Sequence, residues 1–259
     1  MRFFNTFLFT LVAAILFSIA ASAKPAELKL AIQKNDVDLA TRTLHFKLNQ
    51  PAAMAELQVF DLNGSLLAEK LEMFDGAKAG TKLSITWPLI IDDPENFRIA
   101  LKVTDINDYW TAFEIVHFYG TIPHEEVVFE SGKSEILASE APKLDAAIPQ
   151  IVEMINKFKK FASQMTYNLY VAGYTDTVGN NADNRQLSQD RARAIARYFQ
   201  DHGLKKEKIT ILVRGFGEEV LAVSTKDNVD EVRNRRADYI VSNFPPAIGG
   251  PGAWIPVQK

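Results

Sequence analysis

Apolar and polar residues alternate with a period of two from Ala26 to about Tyr119. Leu28, Leu30 and Ile32 interleave with Glu27, Lys29 and Ala31, and LHFKL (Leu44 to Leu48) and LSITW (Leu83 to Trp87) repeat the rhythm of half-buried strands. ELQVFDL, FRIALKVTD and TAFEIVHFY predict further strands. Between these runs lie Asn49-Gln50-Pro51, Asp61-Leu62-Asn63-Gly64, Asp92-Asp93-Pro94 and Asp105-Ile106-Asn107-Asp108, all with turn chemistry, and Asn63-Gly64 is the strongest hairpin signal. Short strands without a helical period predict a small antiparallel β-sandwich of immunoglobulin-like type over residues 24–120.

Gly120-Thr121-Ile122-Pro123 ends that rhythm and marks a domain boundary. Glu126 to Phe129 predicts a short strand. Ser139 then offers a helix N-cap, followed by Glu140 and by Pro142 in the first turn. Leu144, Ile148, Ile151, Val152, Ile155 and Phe158 form one helical stripe, which needs a sheet to cover it. Tyr167 to Gly173, Lys208 to Gly215 and Arg236 to Ser242 are the strand candidates. A second helix carries Leu187, Ala194, Ile195, Tyr198 and Phe199 on one face and stops at His202-Gly203 with Leu204 behind it, a Schellman-type stop. Strand–helix alternation predicts a two-layer α/β sandwich with a mixed sheet over residues 125–243, so the chain as a whole reads as α+β. The tail, residues 244–259 with PPAIGGPG, has no periodicity and is expected to be extended or disordered.

Residues 1–23 read MRFFNTFLFTLVAAILFSIAASA: one early Arg, an apolar run from about Phe7 to Ala20, and Ala21-Ser22-Ala23 before Lys24. This is the pattern of a secretory signal with an A-x-A cleavage site. The run is shorter than the ~20 residues of a spanning helix, and an exported, soluble protein starting near Lys24 is expected. With 259 residues, 47% of them apolar, one or two domains with a sizeable core can form. A net charge of −3 gives no basic field to recruit nucleic acid or anionic lipid. The chain has no Cys, which excludes disulfides, thiolate metal sites, a cysteine nucleophile and a lipid-modified cysteine.

The candidate chemistry lies in GYTDTVGNNADNRQLSQDRARAIARYF, Gly173 to Phe199. Asp176 sits in a Gly- and Asn-rich loop, and a helix starting near Ser188 would carry Arg191 in its first turns, beside free N–H groups that attract anions. An anion and a cation at one mouth suit a ligand with an ammonium and a carboxylate on one carbon, and the planar fork of Arg binds a carboxylate through two parallel hydrogen bonds. Each residue alone also has an ordinary structural reading: the Asp in an Asx-turn, the Arg paired with Asp190. His45 and His117 lie in strands with no matching ligand cluster, so no metal is assigned. Asp105, Asn107 and Asp108 lack the Gly and distal Glu of a calcium loop. Neither H-E-x-x-H nor G-x-S-x-G occurs, and a wall hydrolase with paired carboxylates is the alternative to a binding protein.

Gly173-Tyr174-Thr175-Asp176, Gly179, Asn184, Leu187-Ser188, Arg191-Ala192, Tyr198, Gly215-Phe216-Gly217-Glu218 and Asn234-Arg235-Arg236, with Val128-Phe129 through Lys133-Ser134 before them, resemble the OmpA-like peptidoglycan-binding domain over residues 125–243. The resemblance implies a domain that grips the free end of diaminopimelate in the peptidoglycan stem, without catalysis and without a cofactor. Asp176 would take the ammonium, Arg191 the carboxylate, Asn184 would support the loop or the ligand, and Thr175 and Arg235 would line the site. It implies a periplasmic, wall-associated protein, at or near the outer membrane, whose β-sandwich is free to contact another envelope protein. Three positions depart from the family pattern: Gly132 where Asn is common, Leu221 where Pro is frequent, and Glu231 where an Arg often precedes the NRR motif.

Overall fold

The period-two segments of the N-terminal half fold as strands because alternate residues have a core to enter. The structure, a computed structural model, describes residues 27–90, 95–161, 166–204 and 209–258; the expected signal peptide lies outside these. The chain divides into two compact units, Met1–Asp93 with Arg98–Ile115, and Pro94–Phe97 with Val116–Lys259.

The first unit contains β1 (Leu30–Ala31), β2 (Val37–Asp38), β3 (Thr43–Leu48), β4 (Ala52–Asp61), β5 (Leu66–Ala77), β6 (Leu83–Thr86), β7 (Phe97–Asp105) and β8 (Trp110–His117). One sheet gathers β1, β2 and β6 antiparallel around β3; the other has the order β5-β4-β7-β8. Leu44, Phe46 and Leu48 of the first sheet and Ala55, Leu57, Val59, Ile99, Leu101 and Val103 of the second are buried, and Phe46 meets Phe74 edge to face at 5.7 Å. The Asn63-Gly64 hairpin is present with a longer loop than the two-residue turn. Asp61 N–H donates to Ser65 O (2.9 Å) and Gly64 takes φ +95°, the glycine position of a three-residue loop. Asp105 is a turn former: its Oδ1 accepts the amides of Asn107 (2.8 Å) and Tyr109 (2.9 Å). Strand β5 has no buried residue, which is why periodicity did not mark it as a strand.

The second unit contains β9 (Tyr119–Thr121), α1 (Ala141–Lys159), β10 (Asn168–Gly173), α2 (Asn181–Asp201), β11 (Thr210–Gly215), β12 (Ala237–Ser242) and β13 (Ile255–Pro256). Its sheet order is β13-β11-β10-β12-β9, with β10 and β11 parallel and the other pairs antiparallel. The sheet is mixed because α2 crosses between the parallel strands β10 and β11, while the antiparallel strands β12, β9 and β13 arrive from segments remote in sequence. Leu144, Ala147, Ile151, Ile155 and Phe158 of α1 and Ala192, Ile195, Ala196 and Phe199 of α2 form the helical side of the core.

Five expectations change here. No strand forms at residues 126–129; the edge strand is β9, which includes Gly120, read from sequence as a breaker. A Cβ there would lie 2.7 Å from Met154 Sδ, so the glycine admits close packing of α1. Around residues 126–129, carboxylates take the place of a ladder: Glu126 accepts the Ala237 amide (3.0 Å) and Glu140 the Val128 amide (2.8 Å). Glu140, not Ser139, precedes α1, and it makes no side-chain cap. Helix α2 starts at Asn181 rather than near Ser188, because Asn180 caps it by accepting the Asp183 amide at 2.9 Å. Gly203 takes φ +156°, not the left-handed helical value of a Schellman stop; a Cβ there would press on Ile148 at 3.2 Å. The tail is extended but packed. Its β13 pairs with β11, Trp254 lies 4.9 Å from the Tyr170 ring, and Arg214 donates to Gly250 O at 2.6 Å.

Candidate functional site

Two glycines set the position of α2. A Cβ on Gly173 would fall 2.3 Å from Ser188 O, and one on Gly215 would fall 2.3 Å from Gln189 N. The helix therefore lies directly on the backbone of β10 and β11, and the loops that leave these two strands emerge side by side at their carboxyl ends. Phe216 N–H donates to Gly173 O (2.9 Å), Thr175 N–H to Gly217 O (2.9 Å), and Gly217 N–H to Ser188 Oγ (2.9 Å). Gly217, at φ +56°, is in the left-handed region that glycine tolerates best.

In this frame Asp176 and Arg191 are both buried, with 7% and 8% of their surface exposed. Asp176 Oδ1 accepts the Val178 amide at 3.3 Å and Oδ2 accepts from Arg235 Nη1 at 2.5 Å. Arg235 Nη1 also donates to Asp230, so one guanidinium bridges two carboxylates, which together raise its pKa. Arg191 has a different set of partners. Its Nε donates to Lys133 O (2.9 Å), its Nη2 to Glu130 O (3.3 Å), and its guanidinium carbon lies 5.1 Å from the Phe129 ring centre. Burial lowers the Arg191 pKa, the charge of Arg235 adds to that, and Asp176 opposes it, so the three charged groups share one field. Arginine stays cationic throughout, and among the described residues no carboxylate pairs with it directly.

Asn184 acts on the loop: its Nδ2 donates to Glu218 Oε2 (2.7 Å), Val178 O (3.1 Å) and Asp176 O (3.4 Å). Thr175 holds the loop through its amide, while its hydroxyl is buried without a hydrogen-bond partner among the described residues. Arg235 proves to be the direct partner of Asp176. Arg191 lies in the middle of α2, so the helix N-terminus lends it no field, and Asp190 pairs with Arg193 instead (2.8 Å). Arg236 stacks on the Tyr174 ring at 3.8 Å and so ties β12 to the sheet.

The departures from the family pattern gain physical meaning. Gly132 takes φ +68°, a conformation that Asn also adopts readily, so the exchange preserves the turn whose carbonyls hold Arg191. Glu231 accepts both Nε (2.9 Å) and Nη2 (2.8 Å) of Arg233 and is pulled down to about 2, so its charge is neutralised locally. Nothing in the structure explains Leu221.

Sequence reasoning missed the residues that shape the rim. Thr177 Oγ1 donates to Lys226 O (2.7 Å) and accepts the Val229 amide (3.0 Å), and Asn234, fully buried, exchanges two 2.9 Å bonds with the Val223 backbone. Asn234 belongs to the Asn234-Arg235-Arg236 motif, but its role depends on the backbone of Val223, in the preceding loop. Asp230 carried no signal beyond its charge.

The model of the OmpA family matches residues 128–235. The chain is 34% identical to Outer membrane protein A of Serratia odorifera over 36% of its own length and 34% of the relative's. It is 30% identical to Photosystem I P700 chlorophyll a apoprotein A2 of Gloeobacter violaceus over 45% of its length and 13% of that protein's. Among solved structures, the peptidoglycan-associated lipoprotein from Burkholderia pseudomallei aligns over 45% of this chain and 90% of its own, with 19% identity and a TM-score of 0.35. The chain thus spans about a third or less of the length of these curated relatives. With its mixed sheet, its two glycine-seated strands and the match over that segment, the chain carries an OmpA family domain at residues 128–235.

Proposed function

We propose that the OmpA family domain binds peptidoglycan without catalysis, by gripping the diaminopimelate end of the stem peptide, and so holds an exported protein to the wall in the periplasm. The observation that carries this reading is Arg191: a buried guanidinium held by two carbonyl oxygens and a ring, without a carboxylate partner among the described residues, and in the electrostatic field of the Asp176 carboxylate. A guanidinium has five N–H donors; two are engaged here, which leaves the others for an incoming carboxylate. Asp176 keeps lone pairs for an ammonium beside its bond to Arg235.

Each charge-assisted bond in such a sheltered place contributes about 1.5–3 kcal/mol. A single site is then of modest affinity, and the many stems of a wall polymer raise the effective concentration. In this reading the N-terminal unit, with two antiparallel sheets, is a small sandwich of immunoglobulin-like type available to another envelope protein.

A pull-down on purified peptidoglycan tests the reading. Wild type is expected to sediment with the wall, free diaminopimelate to compete, and Asp176→Ala to remain in solution, with no muropeptide released in any arm. Retention of the variant together with failure of the amino acid to compete would refute it.

A further inference from the structure

We propose that strand β5 joins two copies of this chain edge to edge, antiparallel, about a two-fold axis at Leu71. Strand β5 is the terminal strand of its sheet and is twelve residues long. Such an edge offers a row of main-chain donors and acceptors to another strand. Its exposed apolar residues are large: Leu71 is 54% and Met73 58% exposed. Both lie on the sheet face opposite the core, as their ladder partners Glu56 and Met54 do, whereas Phe74 turns inward to Phe46.

Charge complementarity names the occupant. Cross-strand neighbours in an antiparallel ladder share a face, so a symmetric pair of identical strands must have its axis on a residue. The ladder to β4 is regular between Ala68 and Met73. An axis at Glu69, Lys70 or Glu72 sets each of these charges against its own copy, which is destabilising. An axis at Ala68 makes no opposite-charge pair, and one at Met73 makes none either and runs into Asp75 and Gly76, at φ +48° and +76°. At Leu71 the pairing is Leu71 on Leu71, Lys70 on Glu72 of the second copy, and Glu72 on Lys70 of the second copy. Lys70 and Glu72 share the face of their ladder partners Leu57 and Ala55, lie 3.4 Å apart along the strand and keep more than 40% of their side chains exposed, so the same two charges extend across the dyad. A lysine on an edge deters unrelated strands; alternated with glutamates in this order, it favours a copy of itself in one register.

The test uses the mature chain. Sedimentation over a graded concentration series is expected to show a monomer–dimer equilibrium. Lys70→Glu and Glu72→Lys each turn two attractive pairs into two repulsive ones and are expected to weaken the dimer about tenfold. The Lys70→Glu/Glu72→Lys double variant is expected to restore it, which a misfolded variant would not do. The chain contains no Cys. Leu71→Cys under mild oxidation is therefore expected to give one covalent dimer, much faster than Lys47→Cys on the other sheet. A monomer throughout the series, with Leu71→Cys linking no faster than the control, would overturn the proposal. So would failure of the double variant to recover, or capture of a different chain at position 71.

Discussion

The two units finish their sheets and their loops in opposite ways. One of the two N-terminal sheets ends on a strand of twelve residues, β5, whereas the C-terminal sheet ends on strands of two and three, β13 and β9, so that little edge is offered. Two N-terminal turns are held locally, Asp61 bonding to Ser65 and Asp105 to Asn107 and Tyr109, while the Asn49 turn reaches back along the chain, to Glu27 and Lys29. The C-terminal loops are held across the chain, Asn184 to Glu218, Thr177 to Val229, Asn234 to Val223. A local turn shapes a connection. A long-range polar network fixes several loops relative to one another, which is what a preorganised binding site requires.

The contrast is broken most severely at the glycines. Gly215→Ala would place a methyl 2.3 Å from the α2 backbone, and urea unfolding is expected to show a loss of about 3 kcal/mol. Gly64→Ala, in the hairpin loop, meets nothing within 4 Å and carries only the strain of φ +95°, about 1 kcal/mol. Equal losses would mean that α2 can lift off the sheet at no cost.

A smaller difference is expected between the two kinds of polar support. Asn234→Ala leaves the Val223 amide and carbonyl without partners and is expected to cost about 2 kcal/mol and to weaken ligand binding as the rim relaxes. Asp61→Ala removes one exposed bond, worth about 0.5–1 kcal/mol, and should leave ligand binding unchanged. Parallel denaturant and binding titrations on both variants decide this, and unchanged binding in Asn234→Ala would separate the rim from the site.

The smallest effect concerns pH. Burial raises the pKa of Glu126, chiefly against the pull of its bond from the Ala237 amide. A carboxyl raised in the folded state favours folding fully below its unfolded value near 4.5, and that contribution is lost as pH rises through the raised value. Glu126→Gln is therefore expected to flatten the fall in stability from about pH 4.5 up through the raised value. At neutral pH it should add less than about 1 kcal/mol, because the side chain is 46% exposed. Thermal melts across pH check the sign.

Periodicity made most strands of both units legible, because Leu44, Phe46, Leu57 and Val59 alternate with polar residues, and the glycine-rich motifs placed the candidate site. It could not show β5, whose residues enter no core, or β9, where Gly120 looked like a breaker until Met154 came to lie against it. Asp176 and Arg191 were readable as a pair of opposite charges. The capture of Asp176 by Arg235 and Asp230 was not, since Arg235 lies 59 positions along the chain and meets it only after β12 has joined β10.

Calorimetric titration of the wild-type mature protein with soluble stem peptides tests the central claim without any substitution. A diaminopimelate stem offers an ammonium and a carboxylate on one carbon, whereas a lysine stem of the same sequence lacks that carboxylate. Loss of a sheltered charge-assisted contact to Arg191 predicts binding of the lysine stem at least about tenfold weaker. Equal affinity for the two stems would contradict the assignment of Arg191 as the carboxylate receptor.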